Sequence, residues 1–479
     1  MKGIFLLCLL GLLSTVPAIA DPLSLDSKNS HYFFFRGKPT VLVTSGEHYG
    51  AVINKRFDYV RYLEELSRNH LNLTRIWSGP YREVAGNFNI SDNVLAPDPA
   101  GFLPPWPRSN TPGAADGGNR FDLKQWNPAY FERLRDFIEQ ASRRGIVVEI
   151  NLFCPYYEDS MWQVSPLNSA NNVNGVGNVP RTTALTMDHP DLLAVQDAMV
   201  QKIVTELNGF DNIYYEICNE PYFGGVTLDW QRHIAETIRA VERALPARHL
   251  ISQNISNGSK LVENPDSNVS IFNFHYSRPP SSVAMNYGLS RVIGNNETGF
   301  DGQSDSIYRI QGWDFLAAGG ALYNNLDYSF TVGHESGDFH YSAATPGGGS
   351  AQLRDQLGIL KTVFESLPLE QMHPYDDAAK LSSGGQATVR VLASADDYLI
   401  YIHQARIQPG SKPSYVIDSA PKHTNLSLTL PSGRYRQVWL NTKTGDGQGK
   451  TTFVHGGGER SFESPGYSED IALRLQSVH

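Results

Sequence analysis

A chain of 479 residues, 41% hydrophobic and 11% aromatic, exceeds one ordinary compact domain and has material for a large core plus a smaller module. Its formal net charge of −9, with no basic run, argues against nucleic acid or an anionic membrane as the main partner. Neither Cys-x-x-Cys, His-x-His nor His-Glu-x-x-His occurs, so no metal site is expected, and no organic cofactor is implied.

Lys2 supplies a positive start, residues 4–13 are almost wholly apolar, and Ala18-Ile19-Ala20 fits a small-x-small cleavage site. The expectation is a signal peptide over residues 1–20 and a secreted or periplasmic protein with no membrane association after cleavage. An uncleaved anchor is the alternative. Cys8 leaves with that segment. Cys154 and Cys218 fall near the ends of neighbouring predicted strands, where buried thiols are expected; a disulfide is the alternative, and nothing in the spacing requires one.

Residues 32–35 and 39–44 flank Arg36-Gly37-Lys38, a hairpin feeding a first strand that ends at Ser45-Gly46-Glu47-His48. Residues 57–69 carry Val60, Leu63 and Leu66 at helical spacing. A second strand, 71–77, contains Arg75. The stretch 78–125 is rich in Pro, Gly and Asn, and a structureless connection that long usually serves a site. An amphipathic helix over 127–144, closed by Gly145, precedes a third strand at 146–153. A second polar loop and a helix over 191–207 lead to the fourth strand, Tyr214-Tyr215-Glu216-Ile217-Cys218-Asn219-Glu220. Pro221 stops it, because proline can neither donate to the ladder nor continue the strand. Further strands at 249–254, 268–274, 289–294 and 320–326 alternate with helices at 230–245, 307–318 and 351–367, the fifth and sixth helical segments being short or irregular. Eight alternations imply a parallel sheet closed as a (β/α)8 TIM barrel, α/β in class, over residues 21–373. A doubly wound sheet is disfavoured because no Gly-x-Gly-x-x-Gly follows the first strand. Residues 374–479 read as a small C-terminal all-β, sandwich-like domain, with strands at 388–392, 398–403, 426–430, 436–440 and 471–475.

Two carboxylates stand at strand ends: Glu220 after strand four and Glu297 after strand seven. A barrel gathers all eight strand ends around one mouth. Glycoside cleavage needs such a pair, one acid to protonate the leaving oxygen and one carboxylate to attack carbon or activate water. Strand four ending in Asn219-Glu220-Pro221 and strand seven ending in Glu297 resemble clan A glycoside hydrolases, most closely family 5 and its cellulase-like relatives, over about residues 30–370. The resemblance implies a retaining enzyme acting on a β-linked glycoside or polysaccharide, with Glu220 as acid/base and Glu297 as nucleophile. It also implies that Asn219 binds the sugar 2-hydroxyl, that Arg75 supports the nucleophile's charge, and that His275 and Tyr276 surround the nucleophile. Burial and the charge of Glu297 are expected to keep Glu220 protonated.

This chain departs from the family 5 pattern in three places. His275 and Tyr276 are adjacent rather than two residues apart, so which of them meets Glu297 stays open. Strand three lacks a histidine, and strand eight reads Tyr323-Asn324-Asn325 where a tryptophan platform is common. Arg75 has a second reading as neutraliser of Glu149, and Glu216, on the face of Glu220, fits a salt bridge. Glu47 and His48 are further candidates for the substrate cleft. Trp77 and Tyr222, with Trp106, Trp162, Phe223 and Trp313, offer stacking faces for sugar rings. The alternatives are a non-hydrolytic carbohydrate-binding barrel and a metal-dependent barrel hydrolase using Glu47, His48, His275 and Asp327. The partner is a carbohydrate substrate in the leading reading; oligomeric state is left open.

Overall fold

A computed structural model describes residues 21–381, 387–408 and 415–478, so the expected signal at 1–20 lies outside the described residues. Its organising element is a sheet of eight parallel strands: β1 (Leu42–Gly46), β2 (Leu73–Trp77), β3 (Val147–Asn151), β4 (Ile213–Glu216), β5 (Ile251–Asn257), β6 (Ile271–His275), β7 (Val292–Glu297) and β8 (Leu322–Leu326). They pair in the order β1-β8-β7-β6-β5-β4-β3-β2. Asn72 stitches the remaining seam. Its backbone N–H donates to the Val43 carbonyl at 3.1 Å, and its side-chain amide donates to the Val41 carbonyl at 2.8 Å. The fold is a TIM barrel followed by an all-β domain.

The helices are α1 (Tyr59–Arg68), α2 (Pro128–Arg143), α3 (Asp159–Val164), α4 (Pro190–Leu207), α5 (Leu228–Glu242), α6 (Ser281–Asn286), α7 (Asp305–Ala317) and α8 (Ala351–Glu365). Asp58, Thr227 and Ser350 cap α1, α5 and α8 through side-chain oxygens. Gly145, at φ +69°, takes the left-handed conformation expected beyond α2. No helix lies between β5 and β6, and α6 has only six residues, which is the irregularity the sequence announces. Among the described residues no helix is long and apolar enough to cross a membrane.

The barrel strands are buried on both faces, and their inner face is polar in the upper half. Arg75, Glu149, Glu216, Asn273 and Asn296 hydrogen-bond across the interior rather than filling it with branched apolar side chains. A charged layer directly beneath the mouth preorganises whatever stands at the strand ends.

The stretch 78–125 is not structureless. It contains an antiparallel pair, Arg108–Pro112 with Asn119–Phe121, and Arg82 and Arg108 both grip Asp116 at 2.6 Å. Trp106, Trp162 and Trp313 are buried packing residues, not open stacking faces. Aromatic content alone could not distinguish the two, since packing and stacking use the same rings. Cys154 and Cys218 are both buried and unbridged.

The C-terminal strands are β9 (Thr388–Ala393), β10 (Asp397–His403), β11 (Asn425–Leu440), β12 (Gly447–Glu463) and β13 (Asp470–Ser477). The first half of β11 pairs with Ala379–Leu381 and the second half with β13, and side chains from both halves share one core. Two expected strands, at 426–430 and 436–440, are therefore one long bent strand. The module is clamped to the barrel by Arg309 of α7, whose guanidinium meets Glu469 and Asp470 at 2.7 Å each, and by stacking of Trp313 on Tyr401 at 5.4 Å.

Candidate active site

Arg75 sits at the centre of the barrel mouth, fully buried, and its five donors divide among several strands. Nε donates to Glu149 at 2.6 Å; Nη2 donates to Glu216 at 2.7 Å and to the Asn219 side-chain oxygen at 3.1 Å; Nη1 donates to Glu297 at 3.2 Å. Arg75 thus makes the contacts that both sequence readings require. It neutralises buried carboxylates and it touches the strand-seven glutamate. Three carboxylates around one guanidinium leave an excess of negative charge, and burial pushes Glu149 up to about 8.

The fourth strand ends earlier than its apolar run suggests. Regular pairing stops at Glu216, and the chain reaches Glu220 through a turn in which Glu220 adopts φ +37°. A glutamate in this left-handed region is strained, and the surroundings hold it there. The Glu220 carboxylate accepts from Tyr157 Oη at 2.6 Å, from His275 Nδ1 at 3.0 Å and from Tyr222 Oη at 3.2 Å. Glu297 closes β7 and accepts from Tyr276 Oη at 2.5 Å in addition to Arg75. His275 Nδ1 lies 3.6 Å from Glu297 as well. One oxygen of Glu220, one of Glu297 and a ring nitrogen of His275 lie within 4.8 Å of one another.

The structure settles the adjacency of His275 and Tyr276. Neighbours on a regular strand point to opposite faces. Here the β6–β7 register shifts between Phe274 and His275, and Tyr276 takes φ +51°, so both side chains reach the mouth. His275 serves chiefly Glu220, and Tyr276 serves Glu297.

Charge in the site runs against the expectation that burial keeps Glu220 protonated. Burial does push Glu220 up, but the His275 hydrogen bond and charge, helped by Tyr157 and Asn257, outweigh it and hold the carboxyl below its ordinary value. Burial works against a charged His275, yet the Glu297 charge and the Glu220 bond raise it. Both directions favour charge separation between Glu220 and His275 across the 3.0 Å contact.

The carboxylates open into a cleft of about 440 Å³ lined by His48, Trp77, Asn219, Glu220, Tyr276 and Glu297 from the expected set. Arg75 and His275 lie behind the carboxylates and do not line it. Tyr222 reaches Glu220 by its hydroxyl and lines a neighbouring depression. Glu47 turns away from the cleft, its two carboxylate oxygens accepting from the Gly50 and Ala51 backbone N–H groups at 3.0 Å. Its place at a strand end looked functional, but it folds the turn that follows.

Tyr157, Glu83 and Tyr328 also line the cleft and were not singled out from the sequence. Glu83 faces His48 Nε2 at 3.1 Å and accepts from Asn93 at 2.5 Å. Both acids and amides abound in such loops, so no local pattern marks these residues. Among the described residues only Glu220, His275 and Glu297 converge as possible metal ligands. Glu47, His48 and Asp327 are committed elsewhere, Asp327 to Arg354 at 2.9 Å.

Residues 106–304 match the family model Cellulase (glycosyl hydrolase family 5). No curated protein matches the chain. Among solved structures, a glycoside hydrolase family 5 protein from Bacteroides vulgatus ATCC 8482 is similar, with 12% identity, 95% of this chain and 93% of that one covered, and a TM-score of 0.62. A candidate glycoside hydrolase from the same organism reaches 15% identity and a TM-score of 0.63 over 96% of this chain and 82% of its own. A third, described as a glycoside hydrolase, has 13% identity and a TM-score of 0.60 over 95% and 97%. At these identities the structural likeness speaks for the fold.

Proposed function

We propose that the chain is a clan A, cellulase-like glycoside hydrolase that cleaves a β-linked glycoside with retention of configuration, Glu297 acting as nucleophile and Glu220 as acid and then base. The observation that carries this reading is the approach of the two carboxylates, one oxygen of each within 4.8 Å. Retaining pairs stand roughly 5–5.5 Å apart, whereas inverting pairs need about 6.5–9.5 Å to admit a water.

Each neighbour has work in that sequence. Arg75 and Tyr276 hold Glu297 by two donors, which orients the carboxylate for attack and stabilises its charge. His275 loads Glu220 with a proton across 3.0 Å before cleavage. Glu220 delivers that proton to the departing oxygen and is left ionised, and the proton it later takes from water returns to this pair. After the leaving group departs, ionised Glu220 takes a proton from the incoming water, which opens the glycosyl–Glu297 ester. Asn219 lines the same cleft, which supports a role in meeting the 2-hydroxyl. The apolar run at 4–13 and the Ala18-Ile19-Ala20 site support export from the cytoplasm.

The test is intact mass after incubation with a panel of activated 2-deoxy-2-fluoro glycosides, followed by peptide mapping. One sugar on Glu297 is the expected result, and its identity names the glycone. Turnover of natural glycans without any adduct would overturn retention.

A further inference from the structure

The acid/base carboxylate is surrounded by more donors than a protonated carboxyl can use. Tyr157 Oη, Tyr222 Oη and His275 Nδ1 all point at Glu220, and a neutral acid must itself donate through one oxygen. Tyr222 has an outlet, since its single hydroxyl proton has the Asn257 side-chain oxygen as an alternative acceptor. Tyr157 has a different second partner. Its oxygen accepts from the Asn219 side-chain amide at 2.9 Å while its proton goes to Glu220 at 2.6 Å. One phenol therefore ties together two consecutive residues, one placed to meet the sugar and one placed to protonate the leaving group.

The local structure makes this tie rigid. Tyr157 follows β3, on the loop that begins Cys154-Pro155-Tyr156, and the Cys154 thiol also contacts its oxygen at 3.7 Å. Its ring packs edge-on against Tyr81 at 6.1 Å and Phe88 at 5.6 Å, both from the long stretch after β2. The other ionisable groups facing Glu220 are His275 from β6 and Glu297 from β7, with Tyr81 and Cys154 behind Tyr157. Of these only His275 brings positive charge.

We propose that Tyr157 is a positioning residue that locks Asn219 and Glu220 into one hydrogen-bonded unit, keeping the acid/base ionised until a bound glycoside displaces that bond. The 2-hydroxyl accepts from the Asn219 amide, and the leaving oxygen, which can only accept, favours a protonated Glu220 that no longer needs the Tyr157 donation, so both ends of the phenol are released by the same ligand. Proton loading of Glu220 is thereby tied to correct seating of the glycone, which limits reaction with misplaced sugars. The inference rests on Glu220 being the acid/base of the proposed function.

The test is Tyr157→Phe in the full chain, with pH profiles of kcat/KM for aryl glycosides of poor and good leaving ability. Removing a donor to the ionised carboxylate raises its pKa, so the upper limb moves to higher pH by about one unit. Because the phenol has let go in the bound complex, kcat stays within about threefold of the parent on poor leaving groups and on a 2,4-dinitrophenyl glycoside alike, and the effect is confined to the pH profile of kcat/KM. Site-specific 3-fluorotyrosine at position 157 keeps the shape and strengthens the donor, and it moves the same limb downward, which covers failure of the Phe variant to fold. A loss uniform in pH and in leaving group, or no opposite movement with fluorotyrosine, overturns the proposal. If Glu220→Ala loses nothing on poor leaving groups, the acid/base assignment itself has failed instead.

Discussion

The strand-four and strand-seven corners of the barrel mouth carry glutamates that bring one carboxylate oxygen each within 4.8 Å, yet they hold them by opposite means. Glu297 ends a regular strand and is fixed by a guanidinium, a charge that does not titrate near neutrality. Glu220 stands past the end of its strand at φ +37° and is held by two phenols and an imidazole. In the proposed roles, a permanent cation suits Glu297, which would stay ionised to attack carbon, and exchangeable protons suit Glu220, which would change protonation twice per turnover. The two corners are thus told apart by their partners, not by burial, which is equal at 7% exposure each.

The comparison is broken most severely by exchanging roles. Glu297→Ala should lower kcat by about 10⁴-fold or more on every substrate, and azide should restore turnover with an α-glycosyl azide as product. Glu220→Ala should cost roughly 10²–10⁴-fold on poor leaving groups and little on dinitrophenyl glycosides, azide then giving the β-glycosyl product. NMR of the two azides checks the assignment; the same anomer from both variants would sink it.

A smaller effect is expected from His275→Gln. Burial raises Glu220 and the His275 bond and charge are the largest opposing causes, so losing the imidazolium lets burial prevail. The upper limb of kcat/KM should then move to higher pH by about one unit or more, further than for Tyr157→Phe. An unmoved limb would separate His275 from the acid/base.

The subtlest expectation concerns stability. Glu149, ordinarily near 4.5, is pushed up to about 8 in the fold, so the folded chain holds a proton that the unfolded chain releases. Between those values the folded state binds more protons, and stability falls as pH rises. Glu149→Gln removes that slope, and its thermal midpoint should gain on the parent between pH 5 and pH 8. A parallel pair of melting curves across that range would show that Glu149 is ionised throughout.

Much of this site is legible in the sequence. Eight alternations of apolar strand and amphipathic helix announce a barrel, and a barrel brings Glu220 and Glu297 together despite their separation in sequence. Arg75 stood out because a charge inside an apolar strand must find partners. The end of β4 at Glu216, the burial of Trp106 and the turn-capping role of Glu47 did not follow from residue type. Each depends on what packs against the residue from elsewhere in the chain.

Sequence by itself determined the class of fold, the two carboxylates and the arginine beneath them, because strand periodicity and strand ends are local facts. Tertiary structure alone decided which neighbour serves which carboxylate. His275 and Tyr276 reach different glutamates only because a register shift and a left-handed residue turn two adjacent side chains to the same mouth. Tyr157 and Glu83 enter the site from loops whose paths are set by packing, and no spacing rule connects them to the residues they touch.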